Sequence, residues 1–351
     1  MQKKLFVLLN LLILSTAIQA DECQSSCDYE CDQNWCDECV PGYLPPALPD
    51  GCGLFVGADF LYWNACENDL DYVQTSSDDT KLKGSLKFVE YDWDPGFRIY
   101  GGYRWGCDGW DARMIYTYFE SDDHDQTINV DETNSLDTYL LHSLSVPLGF
   151  DPDKVAASVD LNYETLDFLF SRSCCVSPSL IARPYFGFRG FWIDRDFDVL
   201  YAEESVIRKI NWSSDTDGYG IHAGIDWNVN LCGVCEGLGF NAFFAGSLLA
   251  AQSEVHHRQS SDSETFVDVK EEQRIALPGY HLGLNFSWDI CSDCAYVILA
   301  AGYEFNYWDG LPQLRRYSES ESIENCFGRS GSATNGKLLV HGLTVSGEVH
   351  Y

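Results

Sequence analysis

The stretch "GYHLGLNFSW" at residues 279–288 alternates between large apolar side chains and small or polar ones. One face carries Tyr280, Leu282, Leu284, Phe286 and Trp288, and the other carries Gly279, His281, Gly283, Asn285 and Ser287. Successive side chains of a β-strand point to opposite faces, so the pattern predicts a strand. Strands of soluble domains are about 5 to 6 residues long, whereas strands that cross an outer membrane need about 9 to 11. The aromatic residues at both ends of the apolar face favour the membrane-crossing kind.

The same alternation recurs along the chain. It is found in "LFVGADFLY" (54–62), "GYGIHAGIDWNV" (218–229) and "LLVHGLTVSGEVHY" (338–351). The last of these has a face without charge, apart from any on His341, and it reaches an aromatic residue, Tyr351. This arrangement resembles the C-terminal signal of barrels inserted by the outer-membrane assembly machinery. The chain is therefore predicted to be an all-β, antiparallel transmembrane barrel.

Ten strands are predicted, with twelve as the alternative. They cover roughly 54–66, 84–105, 110–120, 159–172, 179–193, 216–230, 238–251, 275–289, 296–308 and 338–351, with "DWDPG" as a bulge in the second. The long connections are 67–83, 121–158, 194–215, 252–274 and 309–337, and the short turns are "GCDG", "SCCVSP", "CGVCEG" and "CSDCA". Outer-membrane barrels have long outer loops and short periplasmic turns, so an even count places both ends in the periplasm.

The chain ends and the charge define the compartment. Residues 1–20 have the charge, apolar core and small-residue site of a secretory signal peptide. Residues 21–52 are read as a cysteine-rich periplasmic extension, and residues 53–351 as the barrel. No later stretch has the roughly 20 apolar residues of a membrane helix. The formal net charge of -32 excludes a nucleic acid partner, because binding through phosphates needs clustered Lys and Arg.

The cysteines are predicted to form disulfides. Thirteen of the 15 cysteines fall in the extension or in the four short turns, and the turn cysteines are Cys107, Cys174, Cys175, Cys232, Cys235, Cys291 and Cys294. Exported cysteines usually pair, whereas zinc sites and redox motifs are mostly intracellular. The other two, Cys66 and Cys326, lie on the outer side. They are predicted to pair with each other, because the first and last strands of a closed barrel are neighbours. No metal site or cofactor is predicted.

Five longer segments carry a resemblance to a known family. They are "GLFVGADFLYWNACENDLDYV", "DPGFRIYGGY" with "GWDARMIYTYF", "LDFLFSRSCCVSPSLIARPYFGFRGFWI" and "HGLTVSGEVHY". Their order and spacing resemble the Legionella-type major outer-membrane protein family, which is pore-forming and also found in environmental relatives of Chlamydia. The resemblance implies a Gram-negative outer membrane, a barrel and diffusion of small solutes. The cysteine-rich extension resembles the chlamydial cross-linking of surface proteins.

Charged residues fall on the faces predicted to line the lumen. By alternation they are Asp59, Arg98, Arg104, Asp111, Arg113, Asp167, Arg183, Arg189, Asp226 and Glu304. One interpretation is a pore lining that sets the field along the channel. The alternative is a lumen filled by ion pairs, because a barrel of ten strands is narrow. Glycines on the inward faces are expected to leave some room.

The outer connections are strongly acidic. There are 31 Asp and Glu against 10 Lys and Arg over residues 67–80, 120–158, 194–217, 253–274 and 309–336. Such a net charge attracts cations to the mouth, although a solvated surface explains it equally well. "SDDHD" (121–125) and His256 with His257 suggest a hydrolase, but they match no catalytic arrangement. The leading hypothesis is therefore a porin-like channel for small hydrophilic solutes, not an enzyme. The alternative is a structural or adhesive surface protein with a plugged barrel. Predicted partners are outer-membrane lipids, small solutes, other envelope proteins joined by disulfides and, as an open alternative, further copies of the chain.

Overall fold

A computed structural model describes most of the chain beyond residue 52. The described residues are 53–68, 70–76, 84–105, 109–129, 135–137, 140–141, 152–177, 180–203, 206–231, 238–261, 264–291, 296–313, 316–318, 330–332 and 335–350. The predicted signal peptide and cysteine-rich extension lie outside them. Within this part of the chain, no helix is long and apolar enough to cross a membrane.

Ten antiparallel strands close into a barrel. They are β1 (Gly53–Glu67), β4 (Trp93–Arg104), β5 (Trp110–Asn129), β7 (Lys154–Arg172), β9 (Leu180–Glu203), β10 (Val206–Asn230), β11 (Leu238–Ser261), β12 (Glu264–Cys291), β13 (Tyr296–Pro312) and β16 (Asn335–His350). Each pairs with the next in this order, and β16 pairs with β1 to close the ring. The prediction of a ten-stranded antiparallel barrel is confirmed.

Six short strands lie outside this ring. The strands β2 (Asp71–Ser76), β3 (Gly84–Phe88) and β6 (Ser135–Asp137) form a small sheet in the order β3-β2-β6. A hairpin joins β14 (Arg316–Ser318) to β15 (Ser330–Ser332), and β8 (Cys174–Ser177) pairs with β9 beside a periplasmic turn.

The prediction of one strand over 84–105 is wrong. Residues 84–88 belong to the small sheet, and the barrel strand begins at Trp93. Between them Val89 and Tyr91 are buried, with 3% and 5% exposure. The backbone N–H of Val89 donates to Leu70 O at 3.1 Å. The chain leaves the ladder because burying these side chains is favourable, so "DWDPG" is no bulge within a single strand.

Two of the predicted outer loops are largely strand. Residues 194–215 and 252–274 continue β9 to β12, which have 24, 25, 24 and 28 residues. The alternation persists beyond Ile193: Asp194 and Asp196 are exposed, and the intervening positions are buried. Acidic composition suggested a loop here, but the acidic side chains form only the outward face. Residues 121–158 are likewise partly strand, at the end of β5 and the start of β7.

Two aromatic belts mark the membrane interfaces on the outward face. In the outer belt, ring pairs join Tyr62 to Trp93, Trp192 to Tyr219 and Tyr280 to Tyr307, with centroids 5.7, 5.7 and 6.3 Å apart. The periplasmic belt includes Tyr103, Trp105 and Trp288. Exposed apolar side chains fill the band between the belts, among them Phe188, Ile221, Leu284 and Val345. This is the lipid-facing surface of a transmembrane barrel.

Aromatic rings cover glycines of neighbouring strands inside the barrel. A Cβ on Gly57 would meet the Tyr100 ring at 2.3 Å, and the two residues are direct cross-strand partners. The same relation joins Phe55 to Gly102, Trp63 to Gly342, Tyr185 to Gly224, Phe243 to Gly283 and Trp308 to Gly279. The expectation that inward glycines leave room is therefore wrong, because the rings of cross-strand partners occupy that space.

The lumen as candidate functional site

The predicted lining residues occupy inward positions of the barrel strands. Most make ion pairs with one another, and they lie in the half of the lumen nearer the periplasmic turns. Arg104 shares the inward face of β4 with Arg98, by the parity of that strand. Alternation thus assigned the correct face to these side chains. It did not indicate which of them would meet across the lumen.

The first ion-pair group spans a chord of the lumen. Arg98 on β4 lies 2.8 Å from Asp59 Oδ2 and 2.8 Å from Glu304 Oε2. A further bond runs from Arg98 Nη1 to Glu304 Oε1 at 3.1 Å, so the contact with Glu304 is bidentate. His281 Nε2 lies 3.1 Å from the same carboxylate, and the Arg98 guanidinium lies over Trp63 at 5.6 Å. Because β1 and β16 separate β4 from β13, this group ties non-adjacent walls together.

The second ion-pair group is buried, since the side chains of Arg189 and Asp167 are 5% and 4% exposed. Arg189 forms two hydrogen bonds of 2.6 Å to Asp167, its direct cross-strand partner. Its third contact is with Ser247 Oγ at 3.3 Å, and His222 Nδ1 lies 2.8 Å from the same oxygen. A planar guanidinium matches a carboxylate in this geometry, which fixes both side chains.

The third ion-pair group lies at the periplasmic end, and it has longer contacts and more solvent exposure than the other two. Asp111 accepts from Ser171 at 2.5 Å and from Arg183 at 3.2 Å. Arg113 lies 3.6 Å from Asp111 and 3.8 Å from Asp226, beyond hydrogen-bond contact. The side chains of Arg183 and Asp226 are 20% and 31% exposed. Water therefore reaches these charges from the periplasmic side.

The outer half of the lumen is closed by apolar side chains. Trp63, Phe191, Ile193 and Leu338 are each 0% exposed, and they belong to one continuous cluster. Phe191 on β9 and Trp308 on β13 pack against each other, with ring centroids 4.3 Å apart and ring planes tilted by 42°. These strands lie on nearly opposite sides of the ring. Among the described residues, wall side chains thus meet across the lumen at this level and are buried against one another.

Arg195 is a site residue that the sequence reasoning missed. Its side chain is 1% exposed and pairs with Glu67 on β1. It also donates to Pro312 O at 2.6 Å and to Ser214 Oγ at 3.2 Å, and it stacks over Trp212. Residue 195 lay in a predicted loop. The signal for it was the alternation of the strand: Arg195 lies two positions from the apolar residues Ile193 and Phe197, so all three point to the inward face.

A cap completes the closure. We use "cap" for residues 70–91 and 136–141 as far as they are described. Its buried side chains are Leu70, Tyr72, Val73, Val89, Tyr91, Leu136, Leu140 and Leu141. Hydrogen bonds fasten it to the wall, among them Tyr201 Oη to Tyr72 O at 2.5 Å, Gln259 Nε2 to Leu140 O at 3.1 Å and Asn64 Nδ2 to Tyr91 O at 2.6 Å. Next to the cap, Gln313 Nε2 donates to Asn68 O at 3.0 Å and joins the ends of β13 and β1.

The candidate catalytic histidines do not act together. His256 faces outward and lies 2.9 Å from Asp268 Oδ1, whereas His257 is buried with Gln259 Nε2 at 2.9 Å. Adjacent strand residues point to opposite faces, so no shared site can form. In "SDDHD", Ser121 donates to Asp94 at 2.7 Å. Across the described ranges, no group of three His, Cys, Asp or Glu is arranged to hold a metal ion.

The disulfide predictions stay untested. Cys66 and Cys174 are exposed thiols in this structure. The residues Cys107, Cys232, Cys235, Cys294 and Cys326 lie outside the described ranges, and the side chains of Cys175 and Cys291 are not described. Cys66 does lie at the outer end of β1, beside β16, as the predicted pairing with Cys326 requires.

A family model supplies the identity of this barrel. Residues 52–350 match the model of the Legionella pneumophila major outer membrane protein precursor. The chain belongs to this family. As a major outer membrane protein of this type, it is a protein of the Gram-negative outer membrane, and the predicted resemblance and localisation are confirmed. No curated protein sequence matches.

Solved barrels are distantly similar to this major outer membrane protein. The outer membrane protease OmpT of Escherichia coli has a TM-score of 0.44 at 9% identity, covering 85% of this chain and 96% of that one. A Pseudomonas aeruginosa FadL homologue has a TM-score of 0.24 at 8% identity, with coverages of 90% and 95%. An anion-selective porin of Comamonas acidovorans has 0.13 at 9% identity, with 86% and 100%. Similarity this low transfers no activity.

Proposed function

We propose that this protein is a porin-like channel for small hydrophilic solutes that is closed in the present conformation. The observation that carries the proposal is the division of the lumen. A charged half that water enters from the periplasm meets an apolar layer at Phe191 and Trp308. Hydrophobic constrictions of this kind gate channels, because water leaves them when they narrow. Opening would require the rings and the cap to move.

The charged half supports a solute path on energetic grounds. Burying ion pairs stabilises a protein less than apolar packing of similar volume, and often destabilises it. The outer half of the same lumen is filled with apolar side chains. Apolar residues could therefore have filled the inner half as well, and the presence of Arg98 and Arg189 calls for another role. Ionisable residues at membrane depth mark solute and ion pathways. Among the described lumen residues, Ser247 contacts His222, but no carboxylate is hydrogen-bonded to that imidazole as an orienting group, so we propose a transport role and not a catalytic one.

The second candidate is a permanently closed barrel with a structural or adhesive role. The contact between the rings of Phe191 and Trp308 favours it, because these are wall residues and removing the cap alone would not separate them. The exposed acidic face of β9 would then present the protein to its surroundings. In either case the proposed partners are outer-membrane lipids and envelope proteins held by disulfides.

Conductance of the refolded full chain in planar lipid bilayers tests the proposal. We expect stepwise openings from the wild-type protein, with long closed periods. Replacing Arg98 by Gln should shift the reversal potential toward cations, since a positive charge leaves the path. Asp268→Asn, on the outer surface, serves as the control and should leave reversal potentials unchanged. A correctly folded wild-type barrel that never opens would reject the channel and support the closed barrel.

A further inference from the structure

Cys66 lies on the outer surface of the barrel, away from the lumen. It is four positions beyond Tyr62 of the outer aromatic belt and shares the outward parity of that residue. Its thiol is exposed, and its cross-strand partner on β16 is Leu339. A molecule in the outer medium or beside the barrel therefore has access to the sulfur without entering the channel.

The thiol belongs to a chain of polar contacts. Cys66 Sγ lies 3.5 Å from His341 Nε2 and 3.4 Å from Asn64 Oδ1. On the other side of the imidazole, Nδ1 lies 2.6 Å from the Tyr303 hydroxyl. Asn64 is itself fixed, because its amide donates to Tyr91 O at 2.6 Å. The sulfur thus contacts a base, His341, on one side and a fixed hydrogen-bond acceptor, Asn64 Oδ1, on the other.

Aromatic rings hold the imidazole in place. Phe305 stacks on His341 at 5.9 Å with an interplanar angle of 27°, and Tyr303 stacks at 5.9 Å with 30°. Trp93 meets it edge-on at 5.7 Å. A nucleophile, a base and a group that orients the base are the parts of an assisted thiol. The ring needs no rearrangement before it accepts a proton.

Deprotonation of the Cys66 thiol depends on this base. Burial raises the pKa of the Cys66 thiol, and the nearby charge of Glu90 raises it further. The group is therefore protonated at neutral pH, and a thiol reacts with disulfides only as the thiolate. His341 Nε2 can take that proton when Nδ1–H donates to the Tyr303 hydroxyl, because Nε2 then carries the free lone pair of the ring. Cys174 offers a contrast, because the contact of its sulfur among the described residues is a long one, 3.9 Å to Arg172 O.

We propose that Cys66 is a base-assisted thiol for exchange with disulfide-bearing molecules at the outer surface, with His341 as the base and Tyr303 as its positioning residue. The proton passes from Sγ to His341 Nε2, and the thiolate attacks one sulfur of the incoming disulfide. A new S–S bond forms to Cys66 as the old one breaks. The departing thiolate takes the proton from His341. The incoming disulfide supplies the oxidising equivalents, so no other oxidant is needed.

The test uses two refolded full-length variants, one keeping only Cys66 and the other only Cys174, with every other cysteine changed to Ser. The probe is 5,5′-dithiobis(2-nitrobenzoate), an aromatic disulfide whose released thiolate is followed by absorbance. We expect Cys66 to react about 100-fold faster than Cys174 at pH 7, at the lower end of the usual range for a positioned base. His341→Gln should remove that advantage, and Tyr303→Phe should reduce it.

Equal rates at the two cysteines, or an unchanged rate after His341→Gln, would overturn the proposal. If a serine-rich variant fails to fold, the wild-type chain and its His341→Gln variant are reduced and labelled instead, and mass spectrometry follows the label at Cys66. The same peptides reveal a bond to Cys326 as one product of exchange. The measurement is independent of conductance, so it stands whether or not the barrel opens.

Discussion

The rings of Phe191 and Trp308 pack together, with centroids 4.3 Å apart and planes tilted by 42°, although they project from nearly opposite walls of the barrel. Their contact closes the lumen at the level of the outer aromatic belt. Trp308 also covers Gly279, where a Cβ would fall 2.4 Å from the ring. One tryptophan thereby joins the packing of the wall to the closure of the channel, and its removal should affect both.

The first prediction concerns this closure. Trp308→Ala should lengthen openings and increase conductance, because the apolar layer loses its largest side chain. It should also lower the free energy of unfolding by about 3 to 5 kcal/mol, as for other buried tryptophans. Bilayer recordings and urea unfolding in lipid measure the two effects. Trp288→Ala is the control, since that ring is 61% exposed on the lipid face and should leave conductance unchanged. Identical currents from wild type and Trp308→Ala would contradict the assignment.

The second prediction concerns the Arg98–Glu304 pair. Glu304→Gln leaves a buried guanidinium with Asp59 as its remaining carboxylate, so we expect a loss of about 3 kcal/mol. Replacing Arg98 and Glu304 by Met and Asp59 by Asn should recover part of that loss, since none of the three charges of this group is then left without a partner. Unfolding in urea gives the values. Glu254→Gln, exposed on β11, should be neutral. A single variant as stable as the wild type would show that the pair carries no such role.

The third prediction concerns the cover of glycines by aromatic rings. A Cβ on Gly102 would lie 2.3 Å from Ala112 O and 2.4 Å from the Phe55 ring. Gly102→Ala should therefore destabilise the barrel by about 1 to 3 kcal/mol, as overpacking does. Gly246→Ala is the matched control, because its Cβ would approach no atom closer than 4.0 Å. Heat-modifiable gel mobility compares the two, and similar melting of both variants would refute the close-contact explanation.

The fourth prediction concerns the acidic outward face of β9. Burial, and then the charges of Asp198, Asp160 and Asp215, raise the pKa of Asp196. A raised pKa means stability that is present at low pH and lost as pH rises through that pKa. Asp196→Asn should therefore raise the melting temperature at pH 7 and low salt. The gain should fade near pH 4, where carboxylates become protonated at their ordinary pKa of about 3.9, and in 1 M salt.

The control for this charge effect is Asp268→Asn. A hydrogen bond from His256 lowers the pKa of Asp268, so its charged form is favoured. Removing that charge should bring no gain in melting temperature. A gain from both variants would indicate a general charge effect and not the local repulsion on β9.

The fifth prediction concerns the cysteines of the periplasmic side. Thirteen of the 15 cysteines are assigned there by the sequence, and an odd number cannot all pair within one chain. We expect high-mass forms on non-reducing gels of fresh membranes with blocked thiols, and their collapse on reduction. Monomer alone in both lanes would argue against cross-linking to other envelope proteins.

The sequence by itself determined the class of fold and the face of each strand residue. Alternation with period two is a local property, so the outward position of Tyr280 and the inward positions of Arg98 and Glu304 could be deduced without any contact. The same rule would have found Arg195, because Ile193 and Phe197 share its parity. It was missed because acidic composition outweighed the pattern.

Only the tertiary structure decided which inward residues meet. Phe191 reaches Trp308, and Arg98 reaches Glu304, because ring closure sets which strands face each other across the lumen. The pairing of Phe55 with Gly102 depends on register, which no single strand encodes. The closure of the outer half depends on a cap brought back into the barrel, where burial of Val89 and Tyr91 outweighs continuation of the strand. These are long-range contacts, and local periodicity carries no information about them.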